Sequence, residues 1–114
     1  MIDESTEIPR LIEMYLLFSH HVMEIFKSAV LELESNETLT ADVFIILTNL
    51  RNKLKSRCDE EFFGYHVHQL LANVDAAEAQ EATKDFRLFL NSAITYLEKK
   101  LTLMKIQHLE NYQN

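Results

Sequence analysis

The sequence predicts an all-α fold, a small helical bundle of three long helices plus one short helix in a single domain. Three observations predict it. Among 114 residues there is one glycine and one proline, whereas these two together make up about 12% of soluble proteins. Apolar residues recur at steps of three and four over long runs, the period of an amphipathic helix. Polar breaks are few, around 34–37, 64 and 75. The shortage of turn residues excludes a turn-rich sandwich or barrel, a collagen-like fibre and a glycine-rich phosphate loop.

Residues 1–7 are polar and are expected to fray. Pro9 then suits the first turn of a helix, with Ser5, Thr6 or Glu7 as candidate caps. From there Ile8, Leu11, Ile12, Tyr15, Phe18, Val22, Ile25, Phe26, Ala29 and Leu33 hold the helical period for seven turns. The first polar break is Glu34-Ser35-Asn36-Glu37. Thr38 or Thr40 can cap a second helix, with Asp42 favoured in its first turn by the helix dipole. Its stripe is Val43, Phe44, Leu47, Leu50, Leu54, Cys58 and Phe62. Gly64 reads as a C-terminal cap or sharp bend. A short third helix fits Tyr65 to Val74. Asp75 and Glu78 have the spacing of a capping box. A fourth helix follows through Ala79, Ala82, Phe86, Leu90, Ala93, Ile94, Leu97, Leu101 and Met104, and the polar residues from 107 to 114 are expected to fray.

The net charge is −7, with 11 Lys and Arg against 18 Asp and Glu. Such a surface repels a phosphate backbone. One basic run, Arg51, Lys53, Lys55 and Arg57, opposes the trend. At about 100° per residue these side chains spread around a helix instead of lining one face. Cys58 is the only cysteine, which excludes an intramolecular disulfide and fits a reducing compartment. Its place in the apolar stripe makes it a small core residue. No apolar run approaches the roughly 18 residues of a membrane span. The N-terminus carries Asp3, Glu4 and Glu7 where a signal peptide needs Lys or Arg. Neither a span nor a signal peptide is expected.

No catalytic constellation emerges. His20 and His21 are adjacent, and His66 and His68 differ by two positions, so neither pair shares a helix face as metal ligands would. His108 stands alone. There is no C-x-x-C and no H-E-x-x-H motif. The triplet Asp59-Glu60-Glu61 points three ways and reads as solvated charge, partly balanced by an i,i+4 pair from Arg57 to Glu61. Phe62-Phe63 beside Gly64-Tyr65 reads as a set of core plugs at a helix corner. No metal, cofactor or small-molecule substrate is implied.

Several stretches in order carry a resemblance. They are Leu39-Thr40-Ala41-Asp42-Val43-Phe44, Leu50-Arg51-Asn52-Lys53-Leu54-Lys55-Ser56-Arg57, Phe62-Phe63-Gly64-Tyr65, Asp85-Phe86 and Tyr96-Leu97-Glu98-Lys99-Lys100. Together they resemble a segment of hAT-family transposases, and more closely domesticated, transposase-derived proteins. The resemblance spans about 65 of the 114 residues. In that family the segment belongs to the helical region inserted into an RNase H-like fold. Neither the strands that carry the family's acidic residues nor a BED-type zinc finger has a counterpart in this sequence. The pattern also departs after Lys99, where Lys100 and Leu101 replace the usual aromatic. The resemblance therefore implies no catalytic or DNA-binding residue. It implies a helical part kept for protein contacts, in the nucleus.

The first helix supplies an independent hint of a partner. Met14, Leu16, Met23 and Val30 widen its apolar arc to roughly 200°, and Leu17 and Leu31 fall outside even that. Four helices of this size are expected to leave part of it uncovered. The expected function is a non-enzymatic protein–protein interaction module, with a homo-oligomer as one form of it. Met14, Leu16, Leu17, Met23 and Leu31 are the candidate partner-binding residues. The alternative is a nucleic-acid accessory module using the 51–57 run with Lys99, Lys100 and Lys105. A third possibility is a small enzyme or metal carrier through Cys58 and the histidines.

Overall fold

The structure, a computed structural model, describes the backbone of residues 4–35 and 40–113 and the side chains of 7–35 and 41–107. Four helices follow in order: α1 (Glu4–Leu33), α2 (Thr40–Asp59), α3 (Tyr65–Leu71) and α4 (Ala76–Gln113). No strand occurs among the described residues. The all-α architecture of three long helices and one short one is as the apolar periodicity predicts.

Element boundaries differ from the sequence reading at several points. α1 begins at Glu4, so Pro9 lies inside the helix in its second turn. Ser5, Thr6 and Glu7 are then helical residues, not caps. α4 continues to Gln113, through most of the stretch expected to fray. Residues 1–3, 114 and the candidate cap Thr38 lie outside the described residues. α3 stops at Leu71, and its C-cap Ala72 donates its N–H to His68.

The end of α2 is a Schellman motif, in which two backbone N–H groups reach back over the last turn. The Phe62 N–H donates to the Arg57 carbonyl at 3.0 Å and the Glu61 N–H to the Cys58 carbonyl at 3.2 Å. The left-handed residue this motif requires is Glu61, at φ 52°. Gly64 is therefore not the helix cap. It is the N-cap of α3, at φ 113° and ψ 145°, a region open essentially to glycine alone. A Cβ there would also stand 3.3 Å from Cγ and Nδ1 of His21. The lone glycine marks the point where the chain turns a corner directly beneath a side chain of α1.

The start of α4 is tied to α1. The Asp75 N–H donates to Glu7 Oε1 at 3.4 Å, so a carboxylate from α1 takes the role the capping box assigns to Glu78. Arg10 donates to the Asn73 carbonyl nearby.

The helices α2 and α4 run antiparallel and in register. Lys105 lies over the Phe44 ring at 5.7 Å, Arg51 pairs with Glu98 at 3.6 Å, and the Cys58 thiol donates to Asn91 Oδ1 at 3.3 Å. Each seven-residue step along α2 is matched by one back along α4, the repeat of antiparallel knobs-into-holes packing. Leu50 and Leu54 from α2 and Leu90, Ile94, Leu97 and Leu101 from α4 are buried. Helix α1 packs on α2, and α3 packs on α1.

An aromatic cluster ties α1 to α4. Phe18 stacks on Phe86 at 4.1 Å between ring centroids and meets Phe63 edge-on at 6.0 Å. Phe63 meets Phe86 at 5.3 Å. Such pairs add about 0.5–1.5 kcal/mol beyond their area. Only Phe63 of the predicted plugs is enclosed, while Phe62 is partly exposed and Tyr65 is on the surface.

The molecule is elongated, 68 × 25 × 19 Å, with a radius of gyration of 18.1 Å. A compact chain of this length has a radius of about 13 Å. The cause is α4, whose 38 residues span about 57 Å at 1.5 Å per residue.

Candidate interaction surface

The five predicted partner-binding residues divide by flank of α1. Met14 is fully buried, at 0% exposure, and Leu17 is half-buried against the core. Both belong to the row Arg10, Met14, Leu17, His21, which steps by four, three and four along one side of the helix. Arg10 reaches the α3–α4 turn, and His21 meets the Phe62 ring edge-on at 5.7 Å. This is the flank onto which α3 folds, so Met14 is a core residue and not a partner contact. Helix α3 is too short to have been assigned a covering role from periodicity.

Leu16 and Met23 lie away from that flank, Leu31 stands two heptads on from Leu17, and the three are 66%, 68% and 57% exposed. Leu16, Met23 and Val30 follow each other at seven-residue steps, and all three are exposed.

A second row went unrecognised in the sequence. Phe89, Tyr96 and Leu103 on α4 also stand seven residues apart and are 52%, 61% and 47% exposed. The signal was present, because these residues border the buried stripe and share its repeat. Phe89 touches Phe18 edge-on at 5.9 Å, whereas Tyr96 has the Lys100 ammonium 5.3 Å from its ring centroid.

The basic run has internal partners. Arg51 pairs with Glu98, and Arg57 lies over the Phe62 ring at 5.2 Å. The predicted Arg57–Glu61 pair is replaced by Arg87–Glu61 at 3.2 Å, because the Schellman turn carries Glu61 toward α4. Lys53 and Lys55 face solvent.

The histidines are dispersed. His20 stands 3.9 Å from Glu24, and His66 contacts Gln69 at 3.2 Å. His68 Nε2 accepts the Phe63 N–H at 3.0 Å and so steadies the α2–α3 corner. The pKa of His21 is lowered, by burial first and then by the Arg57 charge, with smaller contributions from His20 and His68. Among the described residues no three His, Cys, Asp or Glu side chains cluster to hold a metal ion. His108 lies outside the described side chains.

Tyr15 donates to Asp85 Oδ2 at 2.5 Å across α1 and α4. Burial, this hydrogen bond and the charges of Asp85, Glu81 and Glu78 push its hydroxyl pKa upward. An open groove of about 510 Å³ lies between α4 and the α2–α3 corner, with Lys84, Asn91 and the Arg87–Glu61 pair on its rim. Among the described residues no helix is long and apolar enough to cross a membrane. No family model, curated protein or solved structure matches the chain.

Proposed function

We propose that this chain is a non-enzymatic α-helical protein–protein interaction module whose partner docks on α1. The observation that carries the reading is the exposed apolar row Leu16, Met23 and Val30, with Leu31 exposed beside it, on a helix whose other flank is already occupied. Apolar side chains grouped on one exposed face mark an interaction site, and a seven-residue step suits a helical partner. Arg51 and Arg57 are engaged within the chain and the net charge is −7, which weighs against a phosphate-binding role. The resemblance to hAT-derived proteins supports a domesticated transposase origin and a nuclear place of action as parts of this proposal.

The test compares co-purification by the wild type and by the triple variant Leu16→Glu/Met23→Glu/Leu31→Glu. All three side chains are exposed, so circular dichroism should be unchanged. Specific partners should be lost from the variant. Identical partner sets would show that this face of α1 is not the interaction site.

A further inference from the structure

The α4 row points to a second and separate association. We propose that two copies of this chain pair antiparallel along α4, about a two-fold axis passing beside Tyr96. Surface area is the first argument. A monomer of 13.4 kDa is expected to expose about 6,500 Å². This chain exposes 8198 Å², an excess of about 1,700 Å². A standard interface takes about 800 Å² from each partner, and obligate homodimers take more. The excess is enough for a homodimer interface on α4 while leaving the α1 row free.

The row is also self-complementary. Phe89 and Leu103 lie seven residues either side of Tyr96. A two-fold axis at Tyr96 sets Phe89 against the partner's Leu103 and Tyr96 against the partner's Tyr96, the same patch on both chains as a closed dimer requires. The nearest cations fit this arrangement, since Lys99 falls opposite the partner's Ala93 and Lys100 opposite the partner's Ser92. No like charges meet along the row. Finally, α4 already accepts α2 in an antiparallel seven-residue register on its other flank. A second α4 would repeat that packing on the opposite side, beside the Phe89 contact with Phe18 of α1.

Light scattering or sedimentation equilibrium on the full chain tests the proposal. The wild type is expected at about 27 kDa, twice the chain mass of 13.4 kDa. Tyr96→Glu should weaken dimerisation about thirty-fold or more, as loss of a central aromatic anchor does, with helicity unchanged because Tyr96 is outside the core. Under mild oxidation Tyr96→Cys should form an intermolecular disulfide, whereas Thr102→Cys, on another face of α4, should not. A wild type at monomer mass up to hundreds of micromolar overturns the proposal. So does a dimer insensitive to Tyr96→Glu, or equal cross-linking at Thr102. A monomer that still captures partners through α1 defeats the dimer alone. A dimer without α1-dependent partners defeats the α1 reading alone.

Discussion

Replacing Gly64 by alanine tests how the corner between α2 and α3 is built. At φ 113° and ψ 145° a non-glycine residue costs about 1–3 kcal/mol. The new methyl group would sit 3.3 Å from the His21 ring, and His21 has little room to yield between Phe62 and the corner. Overpacking of this kind adds about 1 kcal/mol. The sum is about 3 kcal/mol, a large share of the roughly 5–15 kcal/mol that holds a domain together. Urea unfolding followed by circular dichroism measures it. With a slope of about 1–3 kcal/mol per molar urea, the midpoint should fall by about 1–3 M. A double-mutant cycle with His21→Ala separates the two contributions, because removing the ring relieves the contact and leaves the backbone strain. A midpoint lowered by less than about 0.5 M would refute the argument that this backbone conformation requires glycine.

Other perturbations follow from the same structure. Glu61→Gly should stabilise by about 0.5–1 kcal/mol in thermal unfolding, because glycine adopts the left-handed conformation without strain and the exposed bridge to Arg87 contributes little. Leu54→Ala, at a position with 0% exposure on the central helix, should cost about 2–5 kcal/mol in chemical denaturation. His21 has a folded pKa below its ordinary value, so its contribution to stability is present above the unfolded pKa and lost as pH falls through the folded one. Stability should therefore drop as pH falls below the ordinary imidazole pKa of about 6.5, and His21→Gln should flatten that slope in a pH series of urea titrations. The pKa of Tyr15 is raised, so its contribution is complete below about pH 10 and fades above it. Tyr15→Phe should reduce the alkaline loss.

Fold class and the buried stripes were legible because they rest on local period. Leu50, Leu54 and Cys58 on α2, and Phe86, Leu90, Ile94 and Leu97 on α4, repeat every three or four residues, and such residues have one way to face a core. Details that depend on distant parts of the chain were not legible. By period Met14 is an edge residue of the α1 stripe, yet it is buried on the helix against which α3, seven residues long and over 50 positions away, packs. Gly64 after a helix is either a cap or a sharp bend by sequence, and it is the bend, because a glutamate takes the left-handed cap position. The Asp75 cap partner comes from Glu7, whose contribution sequence spacing does not encode. On the candidate surface, three of the five side chains named from α1 are exposed. The Phe89, Tyr96, Leu103 row stayed hidden because it shares its repeat with the buried stripe beside it.

The seam between α2 and α4 has one more consequence. Its leucines alone would tolerate sliding one helix past the other by a heptad, since the greasy surface looks the same after each repeat. The polar neighbours do not. Displaced one way, Arg51 would come to rest against Lys105, cation on cation. Displaced the other way, the Phe44 ring would meet the Glu98 carboxylate and the Cys58 thiol would face Lys84. Aromatic with ammonium, guanidinium with carboxylate and thiol with amide match up at one alignment only. Three unlike pairs thus act as the notches that stop two otherwise slippery rods at a single position.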